Sequence, residues 1–404
     1  MKEREIGVAL LGTGFMARVH IEALRRVGVR LVGILGSTPE KSAEAAQRWD
    51  LPRAYRDLTE CLTDPEVHAV HVMTPNRLHL PMVRAALEAG KHVMCEKPLA
   101  LNLAEGVEMA ALAALHPELA TAVNYNNRYY ALNVEARAAV RRGDVGRIFH
   151  ITGSVTQDWL LYATDYNWRV LREEQGELRA LADIGAHWTD LIHSISGLEP
   201  EAVCADFTTV HPRRRRPLKR ETETFAGADA AAETEEIAIE TEDYGAVLVR
   251  YRGGARGNFF VSQVSPGRKY RVAYEIAGQN RTLAWNSERC EELWIGSRDE
   301  VSRTLLRDPA LLSSEARAFT DYPAGHAEGY PDSFKMCFRD FYRAIASGDL
   351  STDISTDIST DLSTDLFIPT YPTFVDGLRD MRLAAAIAES VRIGGWAAVE
   401  EDMP

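Results

Sequence analysis

Hydrophobic and polar positions change rhythm once along the chain. In the first third, short apolar runs at Ile6–Leu11, Arg30–Leu35, Ala69–Met73, His92–Cys95 and Thr121–Val123 alternate with longer amphipathic stretches. Runs this short and this apolar predict strands buried on both faces. The stretches between them predict helices after Ala17 through about Arg26, from near Pro39, at Leu80–Ala89 and at Asn102–Leu115. Gly90 stands where a helix-ending glycine belongs. Strand and helix in strict alternation predict a parallel, doubly wound sheet.

After residue 125 the pattern switches. Leu132–Arg142 has helical spacing and stops at Gly143, and Arg147–Gln157 alternates with period two. From Pro200 to Gly296 the strand-like runs are consecutive: Ala246–Tyr251, Arg256–Gln263, Arg271–Ile276 and Glu292–Ile295, separated by short Gly, Asp or Asn turns. Consecutive strands with such turns predict an antiparallel meander. The expected architecture is α/β, with a parallel-sheet domain over 1–124 and an α+β domain over 125–404 built on an open, mostly antiparallel sheet. Such a sheet has two faces to cover. Helices on one and a second subunit on the other predict a homodimer or homotetramer. Helices are also predicted at Ser333–Ala346 and Asp376–Ile393. Between them, Ser351–Leu366 repeats a Ser-Thr-Asp-Ile/Leu unit and reads as a low-complexity surface insertion without chemistry.

Composition narrows the function classes. With 404 residues, 46% hydrophobic and 26% charged, the chain is an ordinary globular mixture long enough for two or three domains. A net charge of -13 argues against a nucleic-acid partner, so the basic run Arg213–Arg216 reads as a solvated hairpin loop. Thr222–Glu242, acidic and alanine-rich, reads as a loose loop entering a strand. No apolar run approaches a membrane span, and the charged N-terminus has no signal core. The cysteines Cys61, Cys95, Cys204, Cys290 and Cys337 are scattered, with no metal-ligand spacing. They fit reduced thiols in a cytoplasmic protein, with no metal site.

Chemistry enters at the strand ends. Gly12-Thr13-Gly14-Phe15-Met16-Ala17 follows the first strand and opens the first helix. This is the dinucleotide fingerprint of a Rossmann fold in its proper context. Gly12 allows the tight turn, Gly14 lets a pyrophosphate reach the helix N-terminus, and Ala17 keeps helix and strand close. The second strand ends in Gly36-Ser37-Thr38, without the acid that usually holds a ribose 2′-hydroxyl. Small hydroxyl residues followed by Lys41 would tolerate a 2′-phosphate. The cofactor is therefore expected to be NAD or NADP, with NADP favoured. Ser37 or Thr38 would equally serve as a helix cap before Pro39.

Thr74-Pro75-Asn76 with His79, then Glu96-Lys97-Pro98, then Asn124 and Arg128 follow later strand ends, where the ligand crevice of an open sheet lies. Pro98 pushes Lys97 into extended backbone, with a cis or trans bond left open. Trp159, Tyr162, Tyr166 and Trp168 form an aromatic cluster with Asp158, Asp165 and Arg169 between them. It reads either as packing beneath a loop or as a platform for a polyhydroxylated ligand. Asp183-Ile184-Gly185-Ala186-His187-Trp188-Thr189-Asp190 opens an apolar helix and sets Asp183 and His187 one turn apart. Histidine beside a carboxylate makes a general base near neutral pH. Asp190, at the end of this motif, reads equally as a helix-surface residue. His326, in a glycine-punctuated loop, is a further substrate candidate.

These motifs together resemble the glucose–fructose oxidoreductase, inositol dehydrogenase and rhizopine-catabolism (Gfo/Idh/MocA) family of NAD(P)-dependent sugar dehydrogenases. The resemblance is carried by Gly12–Ala17, Thr74–Asn76 with His79, Glu96–Pro98 and Asp183–Asp190. The missing acid after the second strand and the Ser351–Leu366 repeat depart from the family pattern. The resemblance implies Lys97, Asp183 and His187 as the catalytic set. The fingerprint, the segment after the second strand and the matching motifs together place Gly12, Thr13, Gly14, Phe15, Met16, Ser37, Thr38, Lys41, Thr74, Pro75, Asn76, His79, Glu96 and Lys97 around the cofactor. Together with the strand-end, aromatic and loop positions above, the residues expected around a sugar are Lys97, Asn124, Arg128, Trp159, Tyr166, Trp168, Arg169, Asp183, His187 and His326. The expected reaction is oxidation of a secondary ring hydroxyl of a pyranose sugar or glycoside. The alternatives are a cyclitol dehydrogenase such as one for inositol, a glycoside hydrolase that oxidises transiently, and a non-catalytic sensor.

Overall fold

The computed structural model describes residues 2–218, 233–350 and 370–400. Its chain forms two compact units. The first comprises Met1–Ala100, Ala104–Asn124 and Phe334–Leu378; the second comprises Leu101–Leu103, Tyr125–Ser333 and Arg379–Pro404.

In the first unit, strands β1 (Gly7–Leu11), β2 (Arg30–Leu35), β3 (Arg53–Tyr55), β4 (Ala69–Val72), β5 (His92–Cys95) and β6 (Thr121–Val123) alternate with helices α1 (Phe15–Val27), α2 (Pro39–Arg48), α3 (Leu58–Thr63), α4 (His79–Glu88) and α5 (Leu103–Leu115). The strands pair in parallel in the order β3-β2-β1-β4-β5-β6. Every residue of β1 and β4 is buried, as central strands covered on both faces require, and β6 at the sheet's end is buried as well. The order reverses beside β1, between β2 and β4, and a ligand crevice forms at such a switch point.

The sequence pattern places the whole of 125–404 in the second domain. In the structure, Phe334–Leu378 belongs to the first compact unit instead. Phe338 and Tyr342, fully buried, pack their rings against His71 of β4, and Tyr342 brings its hydroxyl 2.7 Å from His71 Nε2. A strand of the sheet thus recruits side chains from far along the chain, which local periodicity does not register.

The second unit is built on β7 (Ile148–Thr156), β8 (Pro200–Thr208), β9 (Arg213–Pro217), β10 (Thr234–Ala238), β11 (Tyr244–Tyr251), β12 (Arg256–Ser262), β13 (Arg271–Gly278), β14 (Thr282–Asn286), β15 (Glu292–Gly296), β16 (Arg303–Leu306) and β17 (Ala397–Ala398). Nine of these form one sheet in the order β16-β15-β14-β13-β7-β12-β11-β8-β17. The pairing is antiparallel throughout except between β7 and β12, which run parallel from His150↔Arg256 to Thr156↔Ser262. The expected simple meander is therefore interrupted. β7, from earlier in the chain, inserts between β12 and β13, whose connection is long enough to pass over it.

Helices α6 (Ala131–Arg141), α7 (Arg172–Gln175) and α8 (Ala186–Ser196) precede most of this sheet in sequence. Side chains of α6 and α8, including Leu132, Val134, Leu191 and Ile195, share one core with Ile151, Val247, Phe259, Val261, Tyr274 and Trp285 of the sheet. Trp188 anchors α8. Its ring stacks on Phe259 with centroids 4.5 Å apart, and its indole N–H donates to Ala273 O at 3.0 Å. It approaches Gly153 so closely that a Cβ there would lie 2.1 Å from Trp188 Nε1, which makes glycine obligatory at that point of β7. On the opposite face of the sheet, Leu248, Phe260 and Trp294 are exposed.

The basic run at Arg213–Arg216 is not a solvated loop. It forms β9, paired antiparallel with β10, and Arg214 is fully buried. Its guanidinium donates to the carbonyls of Leu160, Tyr162 and Asp165 and to Asp243 at 2.7–3.0 Å. A buried cation must be paired, and those four acceptors meet that requirement. Residues 222–232 of the expected acidic loop and the whole Ser351–Leu366 repeat lie outside the described residues, while Thr234–Ala238 of that loop forms β10. Among the described residues no helix is long and apolar enough to cross a membrane.

Candidate active site

The first unit supplies a dinucleotide cradle. β1 runs into Gly12, whose φ of +119° belongs to glycine, and whose missing Cβ leaves room for Met73 O, 2.7 Å from where that atom would sit. Gly14 then caps α1 with no side-chain hydrogen bond, and the space where its Cβ would lie is open. A helix N-terminus with no side chain in front of it fits a pyrophosphate. At the end of β2, Gly36 N–H donates to Ser42 Oγ at 2.8 Å, and Thr38 caps α2 by accepting from Lys41 N at 3.3 Å. Ser37 is exposed beside them.

His79 takes a different part from direct cofactor contact. It is fully buried, with Nε2 3.0 Å from Thr74 O and Nδ1 3.1 Å from Pro98 O. Its ring ties the loop after β4 to the one after β5, so it positions Thr74, Pro75 and Asn76 rather than lining the cradle. Glu96 is likewise buried, within a polar cluster. Asn124 Nδ2 donates to its Oε1 at 2.6 Å, His20 Nε2 lies 2.7 Å from the same oxygen, and Lys97 N donates to Oε2 at 3.3 Å. Burial raises the Glu96 carboxyl, but the His20 and Asn124 hydrogen bonds and the His20 and Lys97 charges outweigh it and bring it down to about 2. The Asn124 amide nitrogen is thus directed at Glu96, while its Oδ1 is buried without a hydrogen-bond partner among the described residues. Lys97 itself is half-buried just past β5, and its bond to Pro98 is cis.

The second unit supplies the acid–base candidates. Leu181–Gly185 forms a widened π-type turn that continues directly into α8, so one helical run carries both Asp183 and His187. Such turns are rare and recur at functional sites. Both residues are buried. Asp183 Oδ2 accepts from Gln263 Nε2 at 2.9 Å, and its Oδ1 is 3.3 Å from Arg169 Nε. Arg169 stacks over the Trp168 ring, 4.5 Å from its centroid. The His187 ring meets the Tyr270 ring edge-on at 6.4 Å, and the Tyr270 hydroxyl accepts from Asn127 Nδ2 at 2.9 Å. Burial pushes the Tyr270 hydroxyl up, with the Asp183 charge adding to the shift, so it stays protonated at neutral pH.

Several expected ligand contacts are placed elsewhere. Arg128 is buried and grips Asp190 with two nitrogens, Nε at 2.8 Å from Oδ2 and the second bond to Oδ1. Asp190 is accordingly not a surface residue but the buried counterion of Arg128. Trp159 and Tyr166 pack against the small apolar cluster of Leu160, Val170 and Ile239, which is the packing reading of the aromatic run. Tyr162 is exposed. His326 is exposed too, and it is its backbone carbonyl, with those of Tyr322 and Pro323, that accepts from Arg307. Residues that sequence reasoning missed include Tyr270, Gln263, Arg179 and Glu242. Each lies outside any motif; only Asn127, between Asn124 and Arg128, stood in a stretch already marked.

Residues 6–125 match the model of an oxidoreductase family with an NAD-binding Rossmann fold, and residues 133–284 match the GFO/IDH/MocA C-terminal domain. Levoglucosan dehydrogenase from Pseudarthrobacter phenanthrenivorans is 31% identical over 317 residues, covering 74% of this chain and 78% of that protein. The chain belongs to the Gfo/Idh/MocA oxidoreductase family. A solved structure of levoglucosan dehydrogenase in complex with NADH and levoglucosan matches this oxidoreductase with a TM-score of 0.82 at 28% identity, covering 98% of this chain and 99% of that one. An oxidoreductase domain protein from Kribbella flavida matches with a TM-score of 0.84 at 28% identity, covering 98% and 100%. Gly12, Gly14, Thr74, Asn76, Lys97 and Asn124 fall within the part matched by the Rossmann model, whereas Arg128 lies between the two matched segments.

Proposed function

We propose that this oxidoreductase oxidises a secondary ring hydroxyl of a pyranose sugar or glycoside to a ketone, with Lys97, Asp183 and His187 acting on the substrate. The observation that carries the reading is the single helical run bearing both Asp183 and His187, with Asp183 braced by Gln263 and Arg169. The bound nicotinamide would supply the hydride acceptor. His187 takes the hydroxyl proton as the carbonyl forms. Lys97 stabilises the alkoxide charge that develops before hydride departure is complete. Asp183, fixed at both oxygens, orients the hydroxyl and balances the positive charges. The levoglucosan complex supports an anhydropyranose as the first substrate to try.

For the cofactor we infer NAD, supported by the NAD-binding family match and the NADH-bound relative, with NADP tolerated because Gly36-Ser37-Thr38 offers no acid to a 2′-hydroxyl and Lys41 follows. For assembly we infer a homodimer or homotetramer formed through the sheet face that exposes Leu248, Phe260 and Trp294. Light scattering tests it: a Leu248→Arg variant is expected to run at a smaller mass than the wild type, and a monomeric wild type at micromolar concentration rules the inference out.

The activity is tested by screening levoglucosan, free pyranoses, glycosides and inositols with NAD and with NADP, read by the absorbance of the reduced nicotinamide. Cofactor reduction on a pyranose or anhydropyranose supports the reading. Reduction on inositol alone moves the substrate to cyclitols. Glycoside cleavage without net reduction marks a hydrolase, and silence across all classes with intact NADH binding marks a sensor.

A further inference from the structure

Behind Asp183 lies a buried polar network that the proposed chemistry does not itself use. Arg179 is fully buried. Its Nε donates to Thr241 Oγ1 at 3.1 Å, one terminal nitrogen donates to Gln263 Oε1 at 3.1 Å, and the other donates to Asp243. Asp243 also pairs with the buried Arg214. Glu242, between Thr241 and Asp243, accepts the backbone N–H groups of Arg179 and Leu181 at 2.9–3.0 Å. One short segment before β11 therefore grips both the Arg179 side chain and the backbone that leads into the Asp183 turn.

We propose that Gln263 is a positioning residue for Asp183, locked in one orientation by Arg179. The argument is one of donors and acceptors, and it rests on the reading that Asp183 serves the reaction. A guanidinium only donates, and it does not lose its proton in a protein. Gln263 Oε1 must therefore be the atom facing Arg179. That fixes the amide, which is otherwise free to flip, and leaves Nε2 pointing at Asp183 Oδ2, 2.9 Å away. The amide nitrogen can only donate, so Oδ2 must accept. Both carboxyl oxygens of Asp183 thus face donors, Oδ2 the Gln263 amide and Oδ1 the Arg169 guanidinium, an arrangement that favours the carboxylate form. Among the described residues, the titratable groups around it include Tyr270, whose hydroxyl feels the Asp183 charge, His187 one turn along the same helix, and Glu242 beneath the turn's start.

Gln263→Glu tests this. The variant keeps the size of the side chain and still accepts from Arg179, but it sets a second carboxylate against Asp183. Two carboxylates in contact hold a shared proton to higher pH, so the acid limb of the kcat/KM profile is expected to move up by about one pH unit or more. Gln263→Met removes the donor without adding charge and is expected to lower kcat more than KM. Both are measured on the full chain with the best sugar of the screen above, alongside NADH binding and thermal melting. A Gln263→Glu profile that superimposes on the wild type overturns the proposal. So does loss of folding in both variants, which assigns Gln263 to the core. Asp183→Asn is the reference: wild-type turnover in that variant refutes the role given to Asp183 rather than the locked amide.

Discussion

His20 Nε2 sits 2.7 Å from Glu96 Oε1, and both side chains are shut off from solvent in the first unit. His20 extends the contact inward, with Nδ1 2.8 Å from His71 Nδ1. Lys97, the residue after Glu96, thus follows a fixed buried carboxylate. The hydrogen bonds and charges around Glu96 more than offset its burial and lower its carboxyl to about 2. A depressed carboxyl stabilises the fold fully above its unfolded value, near 4.3, and that contribution is lost as pH falls toward the folded value.

Glu96→Gln is expected to cost about 1–3 kcal/mol at pH 7, the scale of a buried hydrogen bond to a charged group. The deficit relative to wild type should stay constant above about pH 5 and shrink between about pH 4 and pH 2, because only the wild type loses a contribution there. Urea unfolding at a series of pH values reads both. A deficit that does not change with pH contradicts the assignment of an ionised, paired Glu96.

Lys97→Met and His187→Asn are expected to lower kcat by about a hundredfold or more, while NADH affinity changes by only a few-fold. Interactions made mainly in the transition state leave ground-state binding nearly untouched. His187→Asn should also flatten the pH profile near neutrality. Steady-state kinetics paired with NADH fluorescence titration separates the two effects. Near wild-type turnover in both variants removes these residues from the chemistry.

The sequence shows its local order well and its long-range partners poorly. The parallel sheet was legible because each strand and helix carries its own period, and because Gly12 to Ala17 sits between the correct neighbours. Asp183 and His187 were legible because they are one helical turn apart in the chain. Gln263 and Arg179 were not. Their meeting spans 84 positions and depends on strand register, which no single stretch encodes. Arg214 misled for a related reason: four arginines in a row look solvated until the carbonyls of a separate loop are seen to enclose one of them. Arg128, taken for a ligand contact because it follows a strand end, meets its carboxylate 62 positions away on α8.

Arg128→Met is expected to destabilise the second unit by about 3–5 kcal/mol, since it strands the buried Asp190 without its counterion. Asp380 sharpens the effect. Burial and the charge of Asp190 already push its carboxyl well above the ordinary range, with Arg128 opposing the rise. Removing the guanidinium leaves two carboxyl groups facing each other. Combining Arg128→Met with Asp190→Leu should recover at least half of the loss, because both charges then leave together. Urea denaturation of the two single variants and the pair measures the coupling. A single variant with wild-type stability would free Arg128 for a ligand after all.

Cofactor choice turns on three positions after β2. A side chain at Gly36 is ruled out by space, because a Cβ there would lie 2.9 Å from Ser42 N and 3.0 Å from Lys41 Cβ. Thr38 is occupied as the cap of α2. Ser37, exposed between them, is the position at which an acid can be installed. Ser37→Asp is expected to weaken NADP about tenfold or more by like-charge repulsion with the 2′-phosphate, while NAD is held as well or better through the 2′-hydroxyl. Lys41→Ala is expected to weaken NADP several-fold and leave NAD within about twofold, the difference one charge-assisted contact makes. Fluorescence titration of the wild type and both variants with NADH and NADPH gives all six constants. If Lys41→Ala weakens the two cofactors equally, Lys41 does not read the 2′-phosphate, and the tolerance for NADP has no basis in this segment.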